Sequence, residues 1–154
     1  MRLADAFSSI QIRLELVRYP PWMAKVKGVV RDPEPWLDVS VEARTPAGSW
    51  ACEADCLRVD EAQWIARWFR ALARGEETHQ SLDFEEPTLM FEFLGREGSK
   101  LHLQIVMDYE CRPPWLGDVA SDVPPLPIDL RIGRTTLVAA ADDLDSQIRR
   151  LGLR

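Results

Sequence analysis

Histidine, cysteine and long apolar runs are scarce in this sequence of 154 residues. It contains two histidines, His79 and His102, and three cysteines, Cys52, Cys56 and Cys111. A structural zinc site needs about four Cys or His ligands at suitable spacing, and these residues do not supply such a set. No apolar run approaches the roughly 20 residues that cross a bilayer. We therefore expect no bound metal, no cofactor and no membrane span.

The cysteines are also odd in number, so no scheme of disulfides within the chain can use all of them. If Cys52 and Cys56 lie on one strand, their Cα atoms are about 13 Å apart, beyond the reach of a disulfide. Cys111 precedes a proline-rich stretch and has no base beside it in sequence, which favours a packed thiol. The first seven residues lack the basic start and apolar stretch of a secretory signal peptide. The sequence thus predicts reduced thiols and a cytoplasmic location.

Basic residues are outnumbered by acidic ones, and the formal net charge is −6. Binding to nucleic acid or to an anionic membrane needs a clustered basic surface, so neither partner is expected. An acidic protein suits a basic protein partner. The same modest charge also favours solubility and by itself identifies no partner.

Six segments alternate between apolar and polar residues with the period of two that is typical of half-buried β-strands. They lie near residues 10–16, 37–43, 50–56, 89–93, 101–107 and 126–132. Turn sequences at residues 46–48 and 95–98 join two pairs of these strands as hairpins. Such regular alternation favours an antiparallel sheet.

Two further segments change to the period of an amphipathic helix. In residues 60–74, Asp60 and Gln63 have the spacing of a capping box, Trp64 belongs to the apolar stripe, and Gly75 follows the end. In residues 135–151, apolar residues recur at steps of four and three before a basic last turn. The predicted core contains Leu14, Val39, Trp68, Phe69, Phe91, Leu103 and Leu144.

The predicted fold class is therefore α+β, with one domain over residues 1–154. Its sheet is mainly antiparallel, with an amphipathic helix after the third strand and a C-terminal helix packed on the sheet.

Catalytic motifs are missing from the sequence, which has no Gly-x-Ser-x-Gly nucleophile turn. The string at residues 95–100 is too short for a phosphate loop and joins two strands instead of opening a helix. Asp83, Glu85 and Glu86 lie close enough in sequence for acid–base chemistry. However, Pro87 holds Glu86 extended, so that Glu85 and Glu86 should point apart. Solvated or capping roles are favoured, and no enzyme activity is predicted.

Two proline-rich stretches, residues 20–35 and 112–125, each contain a tryptophan outside the periodic pattern. These are Trp22 and Trp115. Loops of this length are usually functional or disordered. A tryptophan in such a loop is either a plug that returns to the core or an interface anchor, and both interpretations stay open.

Taken in their order along the chain, these residues resemble the WapI family of bacterial immunity proteins from about Phe7 to the C-terminus. The shared pattern begins with Trp36-Leu37-x-Val39-x-Val41, Trp50, and Cys56-Leu57 followed by Glu61. It continues with Trp68-Phe69, with Phe84-Glu85-Glu86-Pro87-x-Leu89-x-Phe91, and with an alanine-rich helix over residues 138–151. The step from Phe84 to Phe91 is the most specific part of the pattern.

This resemblance implies a non-enzymatic inhibitor that binds and neutralises a partner toxin, and the toxin of the founding family member is a tRNA-cleaving nuclease. It supplies no binding map, so we predict the contact residues from this chain alone. They are an acidic segment and two loop tryptophans: Glu76, Glu77, Asp83, Glu85, Glu86, Trp22 and Trp115. A small-ligand-binding domain with a pocket between sheet and helix is the alternative, and an acid–base enzyme using Asp83, Glu85 or Glu86 is a third hypothesis.

Overall fold

The computed structural model describes residues 1–6, 9–18, 36–76, 78–117 and 124–151. Their strands form two four-stranded sheets, ordered β1-β2-β3-β4 and β5-β6-β7-β8, in which all neighbours are antiparallel. The elements are β1 (Arg2–Ala4), β2 (Gln11–Arg18), β3 (Trp36–Thr45), β4 (Gly48–Arg58), α1 (Val59–Arg74), β5 (Ser81–Asp83), β6 (Leu89–Glu97), β7 (Lys100–Met107), β8 (Leu126–Gly133) and α2 (Arg134–Arg150).

The predicted α+β class is confirmed, and the six predicted strands and two helices all form. The two strands that the sequence analysis missed, β1 and β5, have three residues each. Three residues are too few to display an alternating pattern. Alternating side chains of the other strands face the core as predicted, although Cys52, Ala54, Phe93 and Leu126 are only partly buried. The seven predicted core residues are all buried: Leu14, Val39, Trp68, Phe69, Phe91, Leu103 and Leu144.

Helix α1 begins differently from the prediction, because β4 runs directly into it. Arg58 is the N-cap residue, and Glu61 rather than Gln63 closes the capping box. The Glu61 carboxylate accepts the amide N–H of Arg58 at 2.7 Å and the amide N–H of Glu85 at 2.9 Å. The proposed pairing of Asp60 with Gln63 is therefore wrong.

The end of α1 is as predicted, with Gly75 in the left-handed conformation at φ 79°. The assignment of Trp64 to the core is wrong. Its side chain lies at the rim of the helical stripe, is 37% exposed, and meets His79 edge-on.

Contacts between α2 and its surroundings confirm that the C-terminal helix packs on a sheet. The buried side chain of Gln147 accepts the amide N–H of Leu16 in β2 at 2.7 Å. Arg70 of α1 bridges Asp142 and Asp145 of α2, each at 2.7 Å. Neither of the helices in the described part of the chain is both long enough and apolar enough to cross a membrane.

Cys52 of β4 and Cys111, which follows β7, form a disulfide with their Cα atoms 5.3 Å apart. The prediction of reduced thiols without a disulfide is therefore wrong for this pair. That prediction compared only Cys52 and Cys56 along one strand, whereas Cys111 is 59 residues from Cys52 in sequence and lies in a 3₁₀ turn after β7. Cys56 is free and buried, as predicted.

Candidate partner-binding surface along strand β4

The segment that follows β7, residues 108–117, lies along β4, and we call it the aromatic segment. It contains two short 3₁₀ turns. Cys111 in the first turn is bonded to Cys52, and its backbone carbonyl accepts the indole N–H of Trp50 at 3.0 Å. These two links hold the aromatic segment against the first half of β4.

Trp115 in the second turn is partly packed and partly exposed. Its ring meets Trp50 edge-on, with the centroids 5.3 Å apart, and 47% of the residue remains exposed. Gly48, at φ 153°, allows this approach, since a Cβ atom there would lie only 2.8 Å from the Trp115 ring. Trp115 is thus held by packing on Trp50 at one edge, while the rest of the residue is open to solvent.

Tyr109 in the first turn has an unusual backbone for an exposed residue. It is 44% exposed and is the one non-glycine residue of the described ranges with positive φ, at 46°. The Asp108 carboxylate accepts the amide N–H of Tyr109 at 2.7 Å and pairs with Arg112 at 2.6 Å. A left-handed conformation costs a side-chain-bearing residue about 1–2 kcal/mol, and such residues cluster at functional sites. The sequence analysis missed Tyr109, although an aromatic residue just outside the alternation of β7 was a usable signal.

Three carboxylates, from Asp55, Glu86 and Glu110, line a groove of about 280 Å³ beside the second half of β4. We call this the acidic groove. Its remaining wall includes Trp36 and Thr88, and the Thr88 hydroxyl donates to Glu110 at 3.5 Å. Glu86 was predicted as a contact residue. Asp55 and Glu110 were missed because the three carboxylates come from separate parts of the chain.

The thiol of Cys56 lies in the wall of the acidic groove, where the nearby carboxylates affect its pKa. Burial, followed by the negative charge of Asp55 and then of Glu110, raises the pKa of Cys56 to about 12. Because a thiolate is disfavoured there, reaction of this thiol as a nucleophile is disfavoured as well.

The predicted acidic residues that the structure describes differ in their surroundings. Glu76 is exposed beyond the end of α1 and pairs with Arg74, and Asp83 is exposed on β5. Glu85 is exposed and pairs with Arg58, the last residue of β4, at 2.8 Å. Two predicted residues, Glu77 and Trp22, lie outside the described residues.

The candidate contact residues, both those predicted from the sequence and those found in the structure, follow one another along β4. Trp115 lies against the start of the strand, Cys111 is bonded to its middle, the acidic groove follows, and Glu85 pairs with the last residue. At about 3.3 Å per residue, the 11 residues of β4 span roughly 35 Å. This length is enough to serve as one side of a protein interface.

The geometry gives less support to the two alternative hypotheses, a small-ligand-binding domain and an acid–base enzyme. A cleft of about 650 Å³ has many charged side chains in its lining, and Arg13 in its wall pairs with Glu15 at 2.9 Å and Glu42 at 3.6 Å. This is not the mainly apolar pocket expected for a small ligand. Asp83, Glu85 and Glu86 are all exposed, whereas the acid–base hypothesis requires a buried carboxyl group.

Comparison with known proteins supports the resemblance to immunity proteins that the sequence pattern indicated. No curated protein sequence is similar enough to the chain to be matched with it. The sequence profile of the Immunity protein WapI-like family, however, matches residues 3–152, which is almost the whole chain. The chain therefore belongs to the WapI-like family of immunity proteins.

Proposed function

We propose that this chain acts without catalysis, by binding its cognate toxin domain and covering the toxin's active or substrate-binding surface. The observation that carries the proposal is the pair of half-exposed rings, Tyr109 and Trp115, on the aromatic segment. Tyrosine and tryptophan dominate the binding energy of protein interfaces. The packing of Trp115 on Trp50, and the hydrogen bond from the Trp50 indole N–H to the Cys111 carbonyl, hold the aromatic segment in place before binding, which reduces the entropy lost on association.

The acidic groove and the net charge of −6 favour a basic toxin, and we propose a nuclease. A nuclease needs a basic surface for its phosphate-bearing substrate. Acidic side chains speed encounter with such a surface and compete with nucleic acid for it. The partner is then a protein, and neither nucleic acid nor a membrane is bound directly.

We propose the cytoplasm as the place of action, where a nuclease toxin meets its substrate. Thiols are kept mostly reduced there, so the Cys52–Cys111 bond should not be essential for neutralisation. A complex that forms only in the absence of reductant would contradict this location.

The direct test is co-expression with the toxin domain encoded next to this chain. Growth should be restored, and the two proteins should purify as a stoichiometric complex. If neither a complex nor rescue is observed, the immunity proposal fails and the ligand-binding alternative takes its place.

Replacing Trp115 with alanine is expected to raise the dissociation constant of the toxin complex about 30-fold, mainly through faster dissociation. The reason is that a central aromatic anchor contributes about 2 kcal/mol or more. Trp64→Ala is the matched control, because Trp64 is also partly exposed but lies on α1 and not on the aromatic segment. Surface plasmon resonance gives both rates, and equal effects of the two substitutions would exclude Trp115 as an anchor.

Reversing charge in the acidic groove, in Glu86→Lys or Glu110→Lys, is expected to slow association about tenfold at low salt. The salt dependence of the association rate should become weaker, because long-range attraction is lost. Glu76→Lys and Asp83→Lys reverse a charge of the same sign outside the groove and should slow association about threefold. Stopped-flow mixing at several salt concentrations measures this, and no difference from the unmodified chain would contradict electrostatic steering.

A further inference from the structure

The four outer strands of the two sheets differ in how their edges are protected. β1 and β5 have three residues each, and β8 contains Pro127. β8 also meets the region after β1, where the Ala6 amide donates to the Arg131 carbonyl at 2.9 Å. β4 has 11 residues and no proline, and among the described strands it pairs only with β3. A long edge of this kind is a template for an additional strand.

The free backbone groups of β4 can be identified from the hydrogen bonds of β2. The Leu14 amide donates to the Met1 carbonyl at 2.8 Å, so even-numbered residues of β2 bond away from β3 and odd-numbered ones bond toward it. In an antiparallel ladder, the peptide groups of successive residues point alternately to the two neighbouring strands. Odd-numbered residues of β3 therefore form hydrogen bonds with β4, and the residues opposite them on β4 are even-numbered. The peptide groups of Ala51 and Glu53 consequently point to the free edge.

The charged side chains on the middle of β4 have one sign. Residues 49–57 contain no basic side chain, and Glu53 and Asp55 are both exposed. Glu86 and Glu110 of the acidic groove lie beside the same strand. Two copies of such an edge repel each other, whereas an extended segment with lysine or arginine at alternate positions is attracted.

We propose that an extended, basic segment of the toxin pairs with the free edge of β4 and becomes a fifth strand of the sheet β1–β4. This inference rests on the proposed function and specifies how the complex forms. Main-chain hydrogen bonds to Ala51 and Glu53 provide affinity. Basic side chains of the added strand meet Glu53 and Asp55, and its other end reaches Trp115.

The test substitutes Ala51 with proline in the full chain and measures toxin binding by isothermal titration calorimetry. Proline removes the outward N–H and leaves the ladder to β3 in place. The dissociation constant should rise at least tenfold, which corresponds to one lost hydrogen bond and the obstruction of its neighbour. Ala51→Val, which keeps the N–H, should bind within about twofold of the unmodified chain. Equal binding by the proline and valine variants would overturn the inference.

Hydrogen exchange on the unmodified chain gives a second measurement that does not depend on a variant folding. The amides of Ala51 and Glu53 should exchange quickly in the free protein and become protected in the complex. Complex formation and growth rescue without this protection would overturn strand addition while leaving the immunity function intact. Protection already present in the free protein through self-association would overturn it in favour of a second copy of the chain. Absence of any complex with the unmodified chain would overturn both the inference and the proposed function.

Discussion

Replacing Phe69 or Phe91 with alanine is expected to lower the free energy of unfolding by about 3–5 kcal/mol. Both side chains are fully buried, and their rings meet edge-on with the centroids 5.9 Å apart. Phe69 belongs to α1 and Phe91 to β6, so either truncation leaves a cavity where the helix packs on the second sheet. Urea denaturation followed by circular dichroism measures the loss as a lower midpoint at an unchanged slope.

Leu94→Ala is the control for this pair, because Leu94 is also on β6 but is 48% exposed. Its stability should change by no more than about 0.5 kcal/mol. The double variant of Phe69 and Phe91 should lose less than the two single losses added together, since the residues share one contact. Unchanged midpoints in both single variants would contradict the placement of these rings.

Loss of the Cys52–Cys111 disulfide is expected to cost about 4 kcal/mol of unfolding free energy under oxidising conditions. The bond closes a loop with a sequence separation of 59 residues, and the chain-entropy relation gives this value for a loop of that length. Cys111→Ser keeps the backbone carbonyl that accepts the Trp50 N–H, so it removes little besides the covalent link. Denaturation with and without reductant compares the two proteins.

The comparison has an internal control, because the unmodified chain and Cys111→Ser should have similar stability once both are reduced. Thiol titration of the unfolded, oxidised chain should find one thiol, that of Cys56, and three after reduction. In the folded chain Cys56 should react slowly, since burial raises its pKa to about 12. Three thiols in the unfolded, unreduced chain would show that the disulfide does not form.

The local elements of this protein were determined by the sequence alone. Alternation assigned Val39 and Leu103 to buried faces, because successive side chains of a strand point to opposite sides. The helical period assigned Phe69 to the buried stripe of α1, and Gly75 marked its end because glycine adopts the left-handed conformation at little cost. The order of aromatic and acidic residues also sufficed to indicate the family.

Only the tertiary structure decided which distant residues meet. Periodicity specifies the face of a strand but not its neighbours, so the division into two sheets and the outer position of β4 among the described strands could not be derived from it. The same limit explains the wrong prediction for Cys111, whose partner, Cys52, is 59 residues away in sequence. The acidic groove joins Asp55, Glu86 and Glu110 from three parts of the chain. Such sites depend on long-range packing, which no local pattern records.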